Sequence, residues 1–293
     1  MKYLEAIRNL CKPQKARHAN IDKKISEIGE IKAVLWDLYG TLLVSNSSQM
    51  AILCNDKSDE KFRQALKVVG IKEIDGGTNN LGQAFEDMYI AHKDIRAADG
   101  VDNPEADLIL VYEDLLETLI AEEIIEGKIT PEKIKMLAIQ YEFLAHPVWI
   151  TKSTIATLEK LKALNVKMGT VSNAQFFTPM IFPAITGKTM AEIGFDEGAC
   201  IWSYELRRAK PSATLFESAA EYFEATYNIS PENVLYVGND MLNDILPAKK
   251  IGFKTALFGG DEASLRLRKS LDMDIEPELI FTDLDDIFEI VAK

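Results

Sequence analysis

The chain has 293 residues, 47% hydrophobic and 27% charged, with a formal net charge of −13 at pH 7. That composition supports a large core and excludes a disordered chain, a collagen-like repeat and a disulfide-stapled mini-scaffold. An acidic surface disfavours phosphate backbones, so no nucleic-acid partner is expected. Cys11, Cys54 and Cys200 lie far apart without a CxxC pair, which suits a reducing, cytoplasmic setting rather than a disulfide or zinc framework. No apolar run is long enough to span a membrane and no secretory h-region opens the chain, so no membrane partner is expected.

Charge is uneven along the chain. Residues 1–32 carry eight Lys/Arg and four Asp/Glu, net +4, which leaves −17 for the remainder. This basic stretch reads as a helical extension, residues 1–30, packed on the rest of the protein. The first strong element is the apolar run Ile31–Trp36, a buried strand entering a glycine turn. Residues 58–69, 81–96, 105–126 and 131–145 then show apolar residues at helical spacing, separated by Gly, Asn and Pro. Thr130-Pro131 is a helix start, with Thr as N-cap and Pro at the first position. After His146-Pro147 the pattern changes to alternation. Helices are predicted at 152–164, 212–227, 242–251 and 284–292, and strands at 166–171, 199–203, 234–237, 255–258 and 279–281. That alternation predicts an α/β fold: a Rossmann-like, doubly wound parallel sheet, interrupted after its first strand by an all-helical insert.

In such sheets ligands bind beyond the carboxyl ends of the strands. Asp37-Leu38-Tyr39-Gly40-Thr41 follows the first strand, and Ser172-Asn173 follows the strand at 166–171. Lys210-Pro211 precedes the helix at 212–227, and Gly238-Asn239-Asp240-Met241-Leu242-Asn243-Asp244 follows the strand at 234–237. The four motifs, in this order, resemble those of the haloacid dehalogenase superfamily of hydrolases, and the likeness covers residues 32–44 and 147–290. The insert is similar to that superfamily's helical cap of the C1 type. The implied division is a core of 31–44 and 149–293 and a cap of 45–148.

The resemblance implies roles that physical chemistry supports. Asp37, a carboxylate at a strand end, is the expected nucleophile of a covalent intermediate. Gly40 lets the backbone approach the substrate and Thr41 supports the loop. Ser172 and Asn173 are expected to donate to substrate oxygens, and Lys210 to neutralise charge on Asp37 and on the substrate. Asp37, Asp240, Asp244 and the backbone carbonyl of Tyr39 are the expected Mg²⁺ ligands. The family more often has Asp directly after the glycine, where this chain has Asn239, so the acid that meets the metal stays open.

Tyr39 stands where most phosphatases of the superfamily have a second Asp that protonates the leaving group. A phenol is a poor acid–base catalyst at neutral pH. Members that dehalogenate 2-haloacids look like this chain at that position, and a halide leaves without a proton. Three readings follow. The first is a Mg²⁺-dependent phosphatase acting on a small phosphate ester, the second a hydrolase similar to the 2-haloacid dehalogenases, and the third a catalytically weak binding or regulatory protein.

Other signals carry less. Gly187-Lys188-Thr189 imitates the end of a phosphate-binding loop, but Phe182 stands where a glycine is required. His18, His92 and His146 are scattered. Asn46-Ser47-Ser48 and Asn228-Ile229-Ser230 match glycosylation sequons. Residues 105–126 carry eight acids and no base, which reads as a solvated helix face. Neither the substrate nor the oligomeric state is legible.

Overall fold

The computed structural model describes residues 1–45, 58–74, 80–271 and 274–291. Cys54, the Asn46-Ser47-Ser48 sequon and the predicted core–insert junction just after Val44 lie wholly or partly outside them.

In chain order the elements are α1 (Lys2–Leu10), β1 (Ala33–Trp36), β2 (Val44–Ser45), α2 (Ser58–Val68), β3 (Lys72–Glu73), α3 (Leu81–Ala98), α4 (Leu108–Ala121), β4 (Ile125–Glu126), α5 (Pro131–Ala145), β5 (Val148–Trp149) and α6 (Lys152–Ala163). They continue with β6 (Lys167–Ser172), α7 (Ile181–Thr186), α8 (Met190–Ile193), β7 (Phe195–Trp202), α9 (Ser203–Leu206), α10 (Ala213–Tyr227), β8 (Val234–Gly238), α11 (Leu246–Ile251), β9 (Lys254–Phe258), β10 (Leu279–Phe281) and α12 (Phe288–Val291). A π-helical turn, Met241–Ile245, leads into α11.

Six strands form one sheet in the order β10-β9-β8-β1-β6-β7, with every neighbouring pair parallel. β1 is central, and all four of its residues are buried. Its side chains alternate between faces, as a strand requires. Val34 and Trp36 join the larger apolar cluster, whereas Ala33 and Leu35 join the one formed with Leu215, Phe216, Ala219 and Phe223 of α10. β8 repeats the pattern, with Leu235 and Val237 on the first face and Val234 and Tyr236 on the second. A strand that is apolar on both faces has to be covered by helices on both sides. Each fully buried phenylalanine there contributes about 1.5–3 kcal/mol.

α2 packs against α3 and α5, and α4 against α3 and α5. Their shared core stacks Phe85 on Tyr112, with Tyr141 edge-on to Phe62 and Phe85. The predicted Thr130 cap is present: its hydroxyl accepts from Lys133 N at 3.2 Å, with Pro131 opening the helix. The insert is not purely helical, because β3 and β4 form a two-residue antiparallel ladder. The run predicted as one helix over 105–126 starts later and stops earlier. Asp107 caps α4 by accepting from Ile109 N, and Glu123 takes a left-handed φ of 56° that ends it. The helical extension predicted over 1–30 is helical only at Lys2–Leu10. No helix among the described residues is long and apolar enough to cross a membrane.

Candidate active site

The sheet order sets the site. β8, β1 and β6 are neighbours, so the residues after them meet at one edge: Asp37 after β1, Ser172 at the end of β6, and the 239–244 loop after β8. Lys210 arrives from the segment after β7 and α9. Asp37, Tyr39, Asn173, Lys210, Asn239, Asp240, Asn243 and Asp244 line a cavity of about 10 Å³, room for one water molecule.

Lys210 is the hub. Its Nζ donates to Asp37 Oδ1 and to Asp244 Oδ1, both at 2.6 Å, and lies 3.3 Å from the Tyr236 hydroxyl. All three charged groups are buried: Asp37 is 4% exposed, Lys210 7% and Asp244 1%. Burial alone would discharge Lys210, but Asp244 and Asp37 outweigh it and hold the ammonium above its ordinary value. Burial pushes Asp37 up to about 7, against the opposing pull of Lys210 and with Asp244 adding to the rise. Ser172 Oγ donates to Asp37 Oδ1 at 3.3 Å.

Asn173 spends its side-chain oxygen on Lys210 N, at 2.7 Å, and so fixes the lysine's backbone. Its side-chain nitrogen is the part suited to a substrate oxygen. Thr41 Oγ1 donates to Asn239 Oδ1 at 3.3 Å, which ties the first loop to the fourth. Gly40 has φ +88°, and a Cβ there would lie 2.6 Å from Asn239 Nδ2, so the contact between these loops requires glycine. Gly238 is equally constrained, since a Cβ would lie 2.5 Å from Asp244 Cγ.

Tyr39 lines the cavity, but its hydroxyl lies 3.0 Å from Thr178 Oγ1 and is buried. Burial raises its pKa further above the ordinary phenol value, so it holds its proton.

The expected metal ligands line this one cavity, but two of their carboxylates are already paired. Asp240 Oδ1 accepts from Arg268 Nε at 3.0 Å and from Leu242 N at 2.9 Å, and Oδ2 accepts from Arg268 Nη2 at 2.6 Å and Asn243 Nδ2 at 3.1 Å. Asp244 Oδ2 accepts from Asn239 N at 3.0 Å and Asp240 N at 2.9 Å, while Oδ1 serves Lys210 and Tyr236. Asn239 Nδ2 donates to Ser264 O at 2.5 Å. Mg²⁺ demands several oxygens in near-octahedral geometry. Here Asp240 and Asp244 are committed to N–H and O–H donors, and no three acidic, His or Cys side chains among the described residues are grouped to hold a metal. Of the expected set of Asp37, Tyr39, Asp240 and Asp244, the two acids of the fourth motif are thus paired in a way that does not fit a resident Mg²⁺. The cause is local: Asp240 caps the π-helical turn and pairs with an arginine brought in from 28 residues downstream.

Two residues of the site have no counterpart in the motifs. Tyr236 reads as an apolar strand residue, yet its hydroxyl donates to Asp244 Oδ1 at 3.0 Å or to Val171 O at 2.9 Å. Arg268 lies in an irregular stretch with no periodicity. The signal for Tyr236 was a phenol alternating toward the α10 face; for Arg268 there was none.

The Gly187-Lys188-Thr189 stretch ends α7 and caps α8, with Thr189 and Glu192 forming a capping box, away from the cavity. His92 pairs with Asp114 on exposed helix faces.

Comparison with known proteins agrees with this geometry. Over 134 residues the chain is 28% identical to the Rhythmically expressed gene 2 protein of Drosophila melanogaster, a match of 46% of this chain and 48% of that protein. The chain thus spans about half the length of the curated relative it matches. Among solved structures, a 2-haloacid dehalogenase from Pseudomonas syringae pv. Tomato DC3000 superposes with a TM-score of 0.56 at 18% identity, covering 89% of this chain and 98% of that one. An L-2-haloacid dehalogenase superposes with a TM-score of 0.51 at 15% identity, covering 90% and 100%. At these identities the likeness is one of fold. The family model for haloacid dehalogenase-like hydrolases matches residues 31–252, which hold all four motifs, and the chain belongs to that family.

Proposed function

We propose that the chain hydrolyses a small substrate through a covalent ester on Asp37, and that the leaving group departs without a proton, as halide does from a 2-haloacid. The observation that carries this reading is the state of position 39: a buried phenol, turned to Thr178, in the place of a proton donor. Asp37 attacks the halogen-bearing carbon, the carbon–halogen bond breaks with its electron pair, and halide leaves. Water then adds to the Asp37 carbonyl, the ester opens, and a 2-hydroxyacid and the Asp37 carboxylate are released with one proton. Lys210 steadies the charge on Asp37 and Asp244 throughout. Asp244, beside Asp37 across that ammonium, holds Lys210 in place, and the proton of the attacking water passes to solvent. Asn173 Nδ2 and Ser172 Oγ are the donors suited to the substrate carboxylate.

The phosphate-ester reading ranks second. It needs a proton donor for the leaving alkoxide and a divalent cation, and neither Tyr39 nor Asp240 is free to supply them. Residues 45–148 serve as the cap and 31–44 with 149–293 as the catalytic core, a division supported by the mutual packing of α2 to α5. A cavity the size of one water admits neither a 2-haloacid nor a phosphate ester beside Asp37 unless the cap moves, so its size does not choose between them.

The test is a paired assay of halide release from 2-chloropropionate and of aryl phosphate turnover, each with and without EDTA. Halide release insensitive to EDTA supports the proposal. Phosphate release abolished by EDTA, with no halide release, overturns it in favour of the phosphatase. Failure of both leaves the binding-protein reading.

A further inference from the structure

The loop after β8 carries two buried carboxylates, Asp240 and Asp244, beside a third at Asp37. Lys210 compensates Asp37 and Asp244. Asp240 is 4% exposed, and its compensation comes from a residue outside the span matched by the family model. We propose that Arg268 is a built-in cation of this active site, holding Asp240 in the place a divalent metal would claim and so excluding the metal. This deepens the reading above and rests on it only for the identity of the site, not for the substrate.

The geometry is that of a dedicated pair. Two of the three guanidinium nitrogens, Nε and Nη2, meet one carboxylate oxygen each, at 3.0 and 2.6 Å, the fork-on-carboxylate match that arginine makes and lysine does not. The arginine is held in position by the backbone of the residues just before it. Arg266 N donates to Asn239 O at 2.8 Å and Met241 N to Arg266 O at 2.9 Å, so segment 263–268 is stitched onto the acidic loop. Ser264 adds its carbonyl to Asn239 Nδ2 and its hydroxyl to Ser45 O, at 2.8 Å. Arg268 itself takes a left-handed φ of 53°, a conformation a non-glycine residue adopts at a cost and keeps only when its surroundings impose it. What that conformation achieves here is the placement of the side chain on Asp240.

The consequence is an exchange of one cation for another. Mg²⁺ sheds water reluctantly and binds where carboxylate oxygens are free. To reach Asp240 it has to displace a bidentate arginine and two backbone N–H donors. With Arg268 truncated, a buried carboxylate is left uncompensated beside two others, an arrangement that recruits a cation from solution.

The experiment titrates MgCl₂ into purified full-length protein, read by thermal unfolding and by calorimetry, without substrate. Wild type is expected to show neither heat of binding nor a shift in melting temperature at millimolar Mg²⁺. R268A is expected to gain both, with a rise of a few degrees, and D240N in that background is expected to remove the gain. A Mg²⁺-dependent rise in wild type that D240N abolishes overturns the proposal. So does a folded R268A that gains no affinity, with R268Q used in its place should R268A not fold. Because no turnover is measured, failure of the halide assay and failure of this proposal are separately visible.

Discussion

Asp37, the proposed nucleophile, can attack only as a carboxylate, and its surroundings decide when that form exists. Burial lifts its pKa to about 7, against the pull of Lys210, so the carboxylate is expected to be lost as the pH falls through that value. The sign follows directly: kcat/KM for halide release should rise about tenfold per pH unit below pH 7 and level off above it. A profile already flat at pH 5 would mean that Lys210 holds Asp37 ionised and that burial is the lesser effect. Asp37, Ser172 and Lys210 were legible because each stands at a recognisable punctuation: the end of an apolar run, or a Lys-Pro before a helix. Tyr236 was not, because an aromatic inside an apolar strand is indistinguishable from core. Arg268 was not, because a charge in an irregular segment reads as solvated surface until the backbone pairing of Arg266 with Asn239 and Met241 is seen. The metal role expected of Asp240 came with the family resemblance; in the structure its carboxylate is paired with Arg268.

Among elements, the link between α3 and α4 has the largest mechanistic consequence. It docks on the chain segment that delivers Lys210. Ala209 N donates to Asn103 O at 2.7 Å, Glu105 N to Arg207 O at 3.2 Å, and Arg207 pairs with Asp107 at 2.6 Å. Glu105 is buried there, accepting from Tyr89 and Ser203 hydroxyls, each at 2.9 Å, and Ser203 Oγ in turn accepts from Ala174 N beside Asn173. Burial raises the Glu105 pKa. Removing this carboxylate strands the buried Tyr89 hydroxyl, leaves Ser203 only its bonds to Ala174, and loosens the segments carrying Asn173 and Lys210. E105A should therefore lower stability by about 1–3 kcal/mol and reduce kcat more than it raises KM, with E105Q restoring part of the loss. Thermal unfolding with steady-state kinetics checks this; a change confined to KM would show that the link only shapes substrate entry. Regular elements were legible where periodicity was long, as in α3, α5 and α10. The turns from Thr178 to Ile193 were not, because Pro179, Pro183 and Gly187 break them into pieces too short for a period. β7 begins four residues before its apolar run, because the half-buried Asp196 and the exposed Glu197 and Gly198 disguise it.

At the scale of the molecule, the N-terminal stretch ties the layers together. α1 packs on both α5 and α7, burying Ile7 completely, and Arg8 Nε donates to Ala184 O at 2.7 Å. Gln14 Nε2 donates to Pro147 O at 2.6 Å, and Lys24 exchanges backbone hydrogen bonds of 2.8 Å with Ile280 on the outer strand β10. Extension, insert and sheet are thus joined by a single strap, consistent with the packed extension its composition suggested. Ile7→Ala should cost about 2–5 kcal/mol, measured as a lowered midpoint in denaturant unfolding; a cost below about 1 kcal/mol would mean that α1 adds little to the fold. The whole architecture exists to bring Asp37 to the end of the central strand, and the covalent role of Asp37 is the claim on which the rest depends. It is tested most directly by a single turnover of 2-chloropropionate in H₂¹⁸O, followed by mass analysis of the product and of the peptide containing Asp37. Covalent catalysis predicts ¹⁸O in the Asp37 carboxylate and none in the new hydroxyl of the product. Label in the product alone, with Asp37 unlabelled, would contradict it.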